Sequence, residues 1–427
     1  MQETLSHYFG YKSFRPGQEE IITKILNHQH TLGVLPTGGG KSICYQVPGL
    51  MQGGTTIVIS PLISLMKDQV DQLQAMGIQA AYLNSSLTHK QQKEIEEQIK
   101  RGAIQFLYVA PERFENTFFL NLLRKIEIPL IAFDEAHCIS KWGHDFRPSY
   151  QSVIQKVFTL PQNFTIVALT ATATAEVQQD IMSKLSIGQN DVVKTSTKRR
   201  NLIFKVNPTY QRQKFVVDYV ANHEGQAGII YCSTRKQVEE LHEALNSEKI
   251  KSTIYHAGLT NKERIEAQND FLYDRVEVVI ATNAFGMGID KSNVRYVIHY
   301  NMPGDLESYY QEAGRAGRDG LKSECILLFS ERDKGLHEYF ITVSQADDDY
   351  KDKMGEKLTK MIQYTKTKKC LEATIVHYFE PNENLEECNQ CSNCIQENKT
   401  YDMTREAKMI ISCIARMKQQ ENYSVII

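Results

Sequence analysis

The chain has 427 residues, of which 41% are hydrophobic and 23% are charged, and its formal net charge is −2. This length and balance predict a soluble, globular protein of two to three domains. No basic stretch leads into an apolar run at the start, and no window approaches about 18 consecutive apolar residues, so neither a secretory signal nor a membrane span is expected. The charge argues neither for nor against nucleic-acid binding, so any basic groove must be local.

The first half of the chain alternates apolar runs with helical stretches, from Thr31 to about Ser186. The runs at 55–60, 104–109 and 164–169 are typical of buried strands, and the helical stretches between them stop at Gly77 and Gly102. Continuous apolar strands between helices predict a parallel sheet that is covered on both faces.

A glycine-rich loop, Leu-Pro-Thr-Gly-Gly-Gly-Lys-Ser at 35–42, follows the first short strand and precedes a helix. Such glycines let backbone N–H groups surround phosphates at a helix N-terminus. Lys41 would reach the β- and γ-phosphates of ATP, and the Ser42 hydroxyl would ligate Mg²⁺. Leu35 stands where the usual first glycine would be, and a simple glycine-rich turn is the alternative. The other predicted nucleotide-binding residues of the loop are Thr37, Gly38, Gly39 and Gly40.

Two acidic residues, Asp134 and Glu135, end the apolar run that begins at Ile131. In a parallel sheet that end of the strand faces the phosphate loop of a neighbouring strand. Asp134 would hold Mg²⁺ through water, and Glu135 would orient and deprotonate the attacking water. The alternative interpretation is a solvated acidic loop.

An aromatic segment follows these acids within a few residues. Trp142, the only Trp of the chain, lies in a polar stretch without periodicity, and Phe146 and Arg147 come next. Such side chains can stack on unpaired bases, at roughly 1–3 kcal/mol per base. The alternative is that Trp142 and Phe146 pin the loop to the domain surface, and both interpretations can hold together.

The alternation of strands and helices restarts after about Asn201, with strand-like runs at 228–232, 276–282, 294–301 and 325–330. Thr260 and Glu263 have the spacing of a capping box and open a helix. The segment 194–201 is the predicted linker. The sequence therefore predicts two α/β domains side by side.

The second half carries a basic motif, Gln-Glu-Ala-Gly-Arg-Ala-Gly-Arg at 311–318. Arg315 and Arg318 are three residues apart, which on a helix puts them on one face. Two guanidinium groups there would need an anion between them, and such groups can act as arginine fingers. The alternative is a solvated basic helix end.

From about Asp333 the strand signal disappears, helices follow, and four cysteines cluster. Four thiolates with this spacing suit a tetrahedral structural Zn²⁺; an iron–sulfur cluster and a site without metal are the alternatives. The lysines at 366, 368 and 369 are interpreted as a solvated helix face in preference to phosphate contacts. The predicted zinc ligands are Cys370, Cys388, Cys391 and Cys394, and the predicted core thiols are Cys44, Cys138, Cys232, Cys325 and Cys413.

The Asp-Glu-Ala-His box, the Gly-Gly-Gly-Lys-Ser loop and the Gln-x-x-Gly-Arg-x-Gly-Arg motif resemble those of superfamily 2 helicases. The stretch 9–18, Phe-Gly-Tyr-Lys-Ser-Phe-Arg-Pro-Gly-Gln, narrows the resemblance to the RecQ family of DNA helicases, of bacterial type. Without the resemblance that stretch would be interpreted as a helix start. Further matches, in the family's order over essentially the whole chain, are at 60–69, 170–172 and 281–290.

The resemblance implies ATP binding between two RecA-like domains with parallel sheets. Gln18 would then read the adenine edge, with Arg15 supporting the nucleotide and Gln311 also contacting it. The first domain would supply Lys41, Ser42 and the two acids, and the second domain would supply the two arginines. Hydrolysis would open and close the cleft and so produce movement.

The resemblance also implies a DNA-binding role for Trp142, Phe146 and Arg147, as the loop that senses single-stranded DNA and triggers ATP hydrolysis. A phosphate track would run through 60–67, 111–113 and 233–235, whose polar groups position a strand without reading its sequence. A wedge for strand separation is expected in a winged-helix domain that begins near Thr404 and is mostly missing from the chain.

The predicted organisation is a first RecA-like domain at 1–200, a second at 201–340, a helical zinc-binding subdomain at 341–402 and the start of a winged-helix domain at 403–427. The predicted function is an ATP-dependent 3′→5′ DNA helicase in repair and recombination. It would use ATP, Mg²⁺ and Zn²⁺, as a monomer in the bacterial cytoplasm and nucleoid. Its partners would be single-stranded and forked DNA, with a single-stranded-DNA-binding protein as a further candidate.

Two other functions remain open at this point. An RNA helicase shares the ATP motifs, although the cysteine cluster and the aromatic loop favour DNA. A nucleotide-gated translocase or clamp that does not separate strands would fit a chain that lacks the wedge.

Overall fold

The computed structural model describes residues 1–143, 145–285, 291–383 and 386–395, together with residues 404, 405, 408, 409, 411 and 412. Most of the predicted winged-helix segment, part of the motif at 281–290, and Cys413 therefore lie outside the described residues. Within the described part of the chain, no helix combines the length and the apolar character needed to cross a membrane.

Seven strands form the first sheet, and all of their pairings are parallel. They are β1 (Thr31–Val34), β2 (Thr56–Ile59), β3 (Ala80–Leu83), β4 (Phe106–Val109), β5 (Leu130–Phe133), β6 (Thr165–Thr170) and β7 (Val192–Lys194). Their order across the sheet is β3-β4-β2-β5-β6-β1-β7. Successive residues of β2 belong to different cores, Ile57 and Ile59 to one and Val58 to the other, so both faces of the sheet are covered.

Helices cover these two faces, and some of them begin at a residue whose side chain caps the helix. The side chain of Thr88 caps one of them by accepting from the backbone N–H of Gln91, and Asn116 caps another. The helices are α1 (Gln2–Phe9), α2 (Gln18–Leu26), α3 (Ile43–Gln52), α4 (Ile63–Ala75), α5 (His89–Lys100), α6 (Thr117–Leu123), α7 (Pro148–Val157) and α8 (Ala175–Leu185).

Six further strands form a second parallel sheet after the segment 195–201. They are β8 (Leu202–Pro208), β9 (Ala227–Tyr231), β10 (Ser252–Tyr255), β11 (Val278–Ala281), β12 (Val294–His299) and β13 (Ser323–Phe329). Their order is β10-β11-β9-β12-β13-β8. The accompanying helices are α9 (Arg212–Ala221), α10 (Arg235–Ser247), α11 (Asn261–Leu272) and α12 (Leu306–Ala313).

The last part of the described chain is helical and packs against the second sheet. Leu371, Ile375 and Cys391 belong to the same hydrophobic core as residues of β8, β9 and β13. The edge of β8 is covered, because the backbone N–H of Val206 donates to the Ser392 hydroxyl at 3.3 Å. The helices are α13 (Glu331–Val343), α14 (Asp348–Lys366), α15 (Leu371–Phe379) and α16 (Ser392–Ile395).

The architecture agrees with the predicted fold class: two parallel sheets of RecA type, covered by helices, are followed by a helical region. The predicted capping box is also present, with the Thr260 backbone N–H donating to Glu263 at 2.7 Å. Sequence analysis missed β3, β7, β8 and β10. Strand β10 is only partly buried along its whole length, so it lacks the continuous apolar run that marks a buried strand.

Candidate nucleotide and DNA site

The phosphate loop connects β1 to α3, and its backbone depends on glycine. Gly38 and Gly40 have φ angles of +79° and +73°, a region that side chains disfavour. Ser42 is the N-cap of α3, so the loop ends at the N-terminus of a helix. Free backbone N–H groups and the positive end of the helix dipole therefore lie together at this point. The loop therefore has the geometry of an anion site.

Arg15 and Gln18, which precede the loop in sequence, bind its backbone through hydrogen bonds. The Gln18 amide donates to the carbonyl oxygens of Gly39 at 3.2 Å and Gly40 at 2.9 Å, and accepts from the Arg15 backbone N–H at 2.8 Å. The Arg15 guanidinium donates to the Gly38 carbonyl. A Cβ atom at Gly40 would approach the Gln18 amide nitrogen to 2.5 Å, so this contact also requires glycine. The adenine-reading role of Gln18 remains a prediction.

The acidic pair lies at the end of β5. Burial and then the negative charge of Glu135 raise the pKa of Asp134 to about 7, against the opposing charge of Lys41. A divalent cation would add positive charge and favour the ionised form of Asp134. Strand β6 lies between β5 and β1, so the expectation that the acids and the phosphate loop follow neighbouring strands was wrong by one strand.

That intervening strand contributes to the acidic site through Thr170. The His137 ring nitrogen Nδ1 lies 3.1 Å from the Thr170 hydroxyl and 3.3 Å from a carboxylate oxygen of Glu135. The Thr170 hydroxyl in turn donates to the carbonyl of Thr172 at 3.1 Å. The motif at 170–172 is thereby hydrogen-bonded to His137, whose ring lies beside the Glu135 carboxylate.

The two arginines of the second half do not share a helical face, contrary to the sequence prediction. Helix α12 ends at Ala313 with Gly314 as its C-cap, and both arginines lie in the turns that follow. Gly317, between them, has a φ of +56°, which ends the helical path. The Arg315 side chain instead interacts with the hydroxyl of Tyr231 at the end of β9.

Both lobes line one cavity of about 420 Å³. Such a volume is in the usual range of small-ligand and cofactor sites. The Arg318 side chain would lie 3.6 Å from a Cβ atom at Gly38, which places this arginine against the phosphate loop. Of the predicted nucleotide residues, Gly39 is outside the lining. The cavity brings together Arg15, Gln18, Thr37, Gly38, Gly40, Lys41, Ser42, Asp134, Glu135, Gln311, Arg315 and Arg318.

Sequence analysis missed Arg199, which lies in the predicted linker. Its guanidinium donates to the Thr37 carbonyl of the phosphate loop at 2.9 Å and to the Gly314 and Gly317 carbonyls of the arginine motif at 3.2 and 2.8 Å. Burial lowers the pKa of Arg199 from its usual value. The sequence around Arg199 gives no sign of these contacts, because the phosphate loop and the arginine motif are distant from Arg199 in the chain and only the fold brings them close.

The aromatic loop is packed on the first domain. Trp142 lies partly buried against the core of the first sheet, and Gly143 leaves no room for a side chain, since its Cβ would meet the His137 carbonyl oxygen at 2.2 Å. Arg147 pairs with Asp145 at 3.0 Å and donates to the Pro61 carbonyl at 2.9 Å. Phe146 is half-buried. The packing interpretation is thus supported for Trp142, and DNA contacts by the three residues remain predictions.

Residues of the predicted phosphate track already have partners within the protein. Arg113 pairs with Glu96 at 3.3 Å, and the Ser233 backbone N–H donates to Asn301 at 3.0 Å. Lys366, predicted to be a solvated lysine, forms an exposed ion pair with Glu331 at 2.7 Å. The track itself remains a prediction.

The four clustered cysteines converge, with all sulfur atoms within 4.8 Å of one another. Cys391 lies 3.4 Å from Cys394 and 4.0 Å from Cys370, sulfur to sulfur. With Zn–S bonds of about 2.3 Å, tetrahedral geometry needs sulfurs about 3.8 Å apart. The backbone N–H groups of Leu371 and Cys388 point at these sulfurs, which suits thiolates. A single tetrahedral ion fits, whereas the inorganic core of an iron–sulfur cluster does not.

Comparison with known proteins gives matches to the first domain, the second domain and the cysteine-bearing helical region. Family models described as DEAD/DEAH box helicase, helicase conserved C-terminal domain and RecQ zinc-binding match residues 15–181, 211–320 and 331–395. The ATP-dependent DNA helicase RecQ of Bacillus subtilis (strain 168) is 48% identical over 420 residues, which is 98% of this chain and 71% of that protein. The chain belongs to the RecQ helicase family.

Other comparisons agree with this RecQ assignment. The ATP-dependent DNA helicase RecQ of Haemophilus influenzae is 42% identical over 97% of this chain and 67% of that protein. The chain thus spans about two thirds of the length of these RecQ relatives. The solved structure of the Mycobacterium smegmatis helicase Lhr bound to single-stranded DNA and AMP-PNP covers 86% of this chain and 57% of its own, with a TM-score of 0.63. At 16% identity it supports the fold alone.

Proposed function

We propose that this RecQ-family chain is an ATP-dependent 3′→5′ DNA helicase that couples ATP hydrolysis between its two lobes to movement on single-stranded DNA and to unwinding. The observation that carries the proposal is the single cavity lined by Lys41 of one lobe and Arg315 and Arg318 of the other. Neither lobe alone offers a complete set of charges for a triphosphate. Family membership supports the activity, and the polarity rests on the resemblance.

The residues around the cavity suit phosphoryl transfer. Lys41 and the loop backbone would hold the β- and γ-phosphates, with Ser42 and Asp134 as the Mg²⁺ site. The bound Mg²⁺ would supply positive charge to the transferred phosphoryl group. Glu135 is the proposed base for the attacking water, and the His137 ring, 3.3 Å from its carboxylate, would help to position it.

The arginines complete the site from the second lobe. Arg315 and Arg318 would stabilise the charge of the transition state, and arginine fingers of this kind accelerate related reactions by about 10³–10⁵. Gln311, one turn before Arg315, is proposed to contact the nucleotide. Because these groups belong to a different lobe from Lys41, the lobes would approach when ATP is bound and separate after hydrolysis.

DNA is proposed to lie across both lobes, with Trp142, Phe146 and Arg147 nearest the catalytic acids. Backbone phosphate contacts would hold the strand without reading its sequence. Opening one base-pair step costs on average about 1.4 kcal/mol, so movement of the lobes must be coupled to a separating element. The region beyond 403 is proposed to begin that element, the winged-helix domain.

The zinc-binding region is proposed to stabilise the second lobe, with which it shares a core. We retain the domain limits 1–200, 201–340, 341–402 and 403–427 as part of the proposal. The proposal further states that the protein acts as a monomer in the bacterial cytoplasm, in DNA repair and recombination. A single-stranded-DNA-binding protein is its proposed protein partner.

A strand-separation assay tests the function. The purified chain is mixed with ATP, Mg²⁺ and a labelled fork with a 3′ tail, and with matched substrates that carry a 5′ tail or an RNA tail. Unwinding of the 3′-tailed DNA alone is expected, and Lys41→Ala is the inactive control. Preference for the 5′ or RNA tail would contradict the proposal, and DNA-stimulated ATP hydrolysis without unwinding would favour the clamp alternative.

A further inference from the structure

Lys357, on α14, joins three parts of the molecule that are distant in sequence. Its ammonium group donates to the carbonyl oxygen of Trp142 at 2.8 Å and pairs with a carboxylate oxygen of Glu307 at 3.0 Å. The Lys357 side chain is 7% exposed and that of Glu307 is 3% exposed. A buried ion pair of this kind is held in one geometry, because breaking it leaves an uncompensated charge.

The two partners of Lys357 belong to the two RecA-like domains, Trp142 to the first and Glu307 to the second. Trp142 lies on the aromatic loop, seven residues after Glu135, the proposed catalytic base. Glu307 lies in the first turn of α12, the helix that leads to Gln311 and then to Arg315. A helix is a rigid element, so a displacement of the turn that directly follows α12 and carries the arginines is expected to displace the first turn of α12 as well.

Further contacts hold the aromatic loop on the same side of α14. Lys353, one turn before Lys357, pairs with Glu176 of the first domain at 2.9 Å, and its ammonium lies 5.8 Å from the centre of the Trp142 ring. Lys141 pairs with Asp347, the N-cap of α14, at 2.9 Å. These contacts are more exposed than the Lys357 pair, so they hold the loop weakly, while Lys357 is the buried link.

We propose that Lys357 is a positioning residue that transmits the state of the nucleotide cleft to the Trp142 loop through Glu307 and α12. Closure of the cleft moves the arginines toward the phosphate loop, α12 follows, and the Lys357 contact with the Trp142 carbonyl changes. Because coupling between two binding sites is reciprocal, DNA bound at the loop then favours the closed cleft to the same extent. This inference rests on the proposed function, since it assigns DNA to that loop.

Trp142 provides a readout that needs neither DNA nor turnover, because it is the only Trp in the sequence. Its emission is measured while the non-hydrolysable analogue AMP-PNP and Mg²⁺ are added to the whole chain, with analogue affinity determined separately by calorimetry. The emission of the unsubstituted protein is expected to change on saturation. Lys357→Met is expected to abolish this change while the analogue still binds.

Three further variants test whether the effect is specific to the Lys357 contacts. Lys351→Met, on the same helix, is the matched control and should keep the full response. Lys357→Arg preserves the donors and should restore part of the response, whereas Glu307→Gln should reduce it. Thermal melting of each variant verifies folding, and if Lys357→Met does not fold, the Arg and Gln variants carry the test.

The same variants are then compared in DNA-stimulated ATP hydrolysis. Lys357→Met should raise the half-maximal single-stranded DNA concentration on the order of tenfold, a typical size for coupling between sites. A full emission response in Lys357→Met, or no response in the unsubstituted protein, would overturn the inference. If the response behaves as expected but the fork is not unwound, the proposed function fails and the link between cleft and loop stands.

Discussion

The guanidinium of Arg199 donates to the carbonyl oxygen of Thr37 at 2.9 Å and thereby fastens the segment between the two sheets to the phosphate loop. The same group reaches the carbonyls of Ala316 and Gly317 beside the proposed arginine fingers. The segment between the lobes therefore contacts the backbone on both sides of the proposed nucleotide site, at the phosphate loop and beside the arginine motif.

Arg199→Met is expected to lower kcat for ATP hydrolysis by about 10²-fold, because small misplacement of reacting groups has effects of that size. The half-saturating ATP concentration should change less, since the phosphate loop itself remains. Steady-state ATPase assays give both values. The neighbouring, exposed Arg200→Met is the matched control, and an equal loss in both variants would contradict the positioning role.

Lys41→Ala is expected to reduce ATP turnover by a factor on the order of 10²–10³, the effect of removing one donor to a charged transition state. The melting temperature should stay within the range of the unsubstituted protein, because Lys41 lines a cavity and supports no core. Lys100→Ala, on the exposed side of α5, is the control. Unchanged turnover in Lys41→Ala would remove the phosphate-loop assignment.

Trp142→Ala is expected to weaken the stimulation of ATP hydrolysis by single-stranded DNA more than the basal rate. Loss of one stacked base contact, worth roughly 1–3 kcal/mol, should raise the half-maximal DNA concentration about tenfold. Phe118→Ala, an exposed aromatic of the same domain, should leave both quantities unchanged. If basal and stimulated rates fall together, Trp142 acts through packing.

Cys391→Ser is expected to lose bound zinc and to lower the melting temperature of the chain. A structural zinc site can supply on the order of 10 kcal/mol of folding free energy, and Cys391 is fully buried in the core shared with the second sheet. Metal content by elemental analysis and thermal melting are the measurements. Cys325→Ser, a buried thiol outside the cluster, should keep the metal, and full zinc retention in Cys391→Ser would argue against the four-cysteine site.

Local sequence patterns predicted the charged and glycine-rich part of the cavity lining, because the residues of a phosphate loop or of an acidic strand end lie close together in the chain. Arg15, Gln18 and Gln311 were predicted from the family resemblance alone. Local patterns did not predict features that depend on how distant segments pack together or on where a helix ends. A three-residue spacing put Arg315 and Arg318 on a helix, yet α12 ends at Ala313, before both of them, and Gly317 turns the backbone between them. The link from Lys357 to Trp142 crosses 215 positions, so no local pattern could reveal it.

The covered edge of β8 has a consequence for how the protein can be shortened. Gln390 donates to the carbonyl of Leu202, and Ser392 accepts from Val206, so the zinc-binding region satisfies hydrogen-bonding groups along this outer strand. A polypeptide that stops before α14 would leave those groups bare and available to strands of other molecules. Self-association, more than loss of catalysis, is then the first defect to look for in such a fragment.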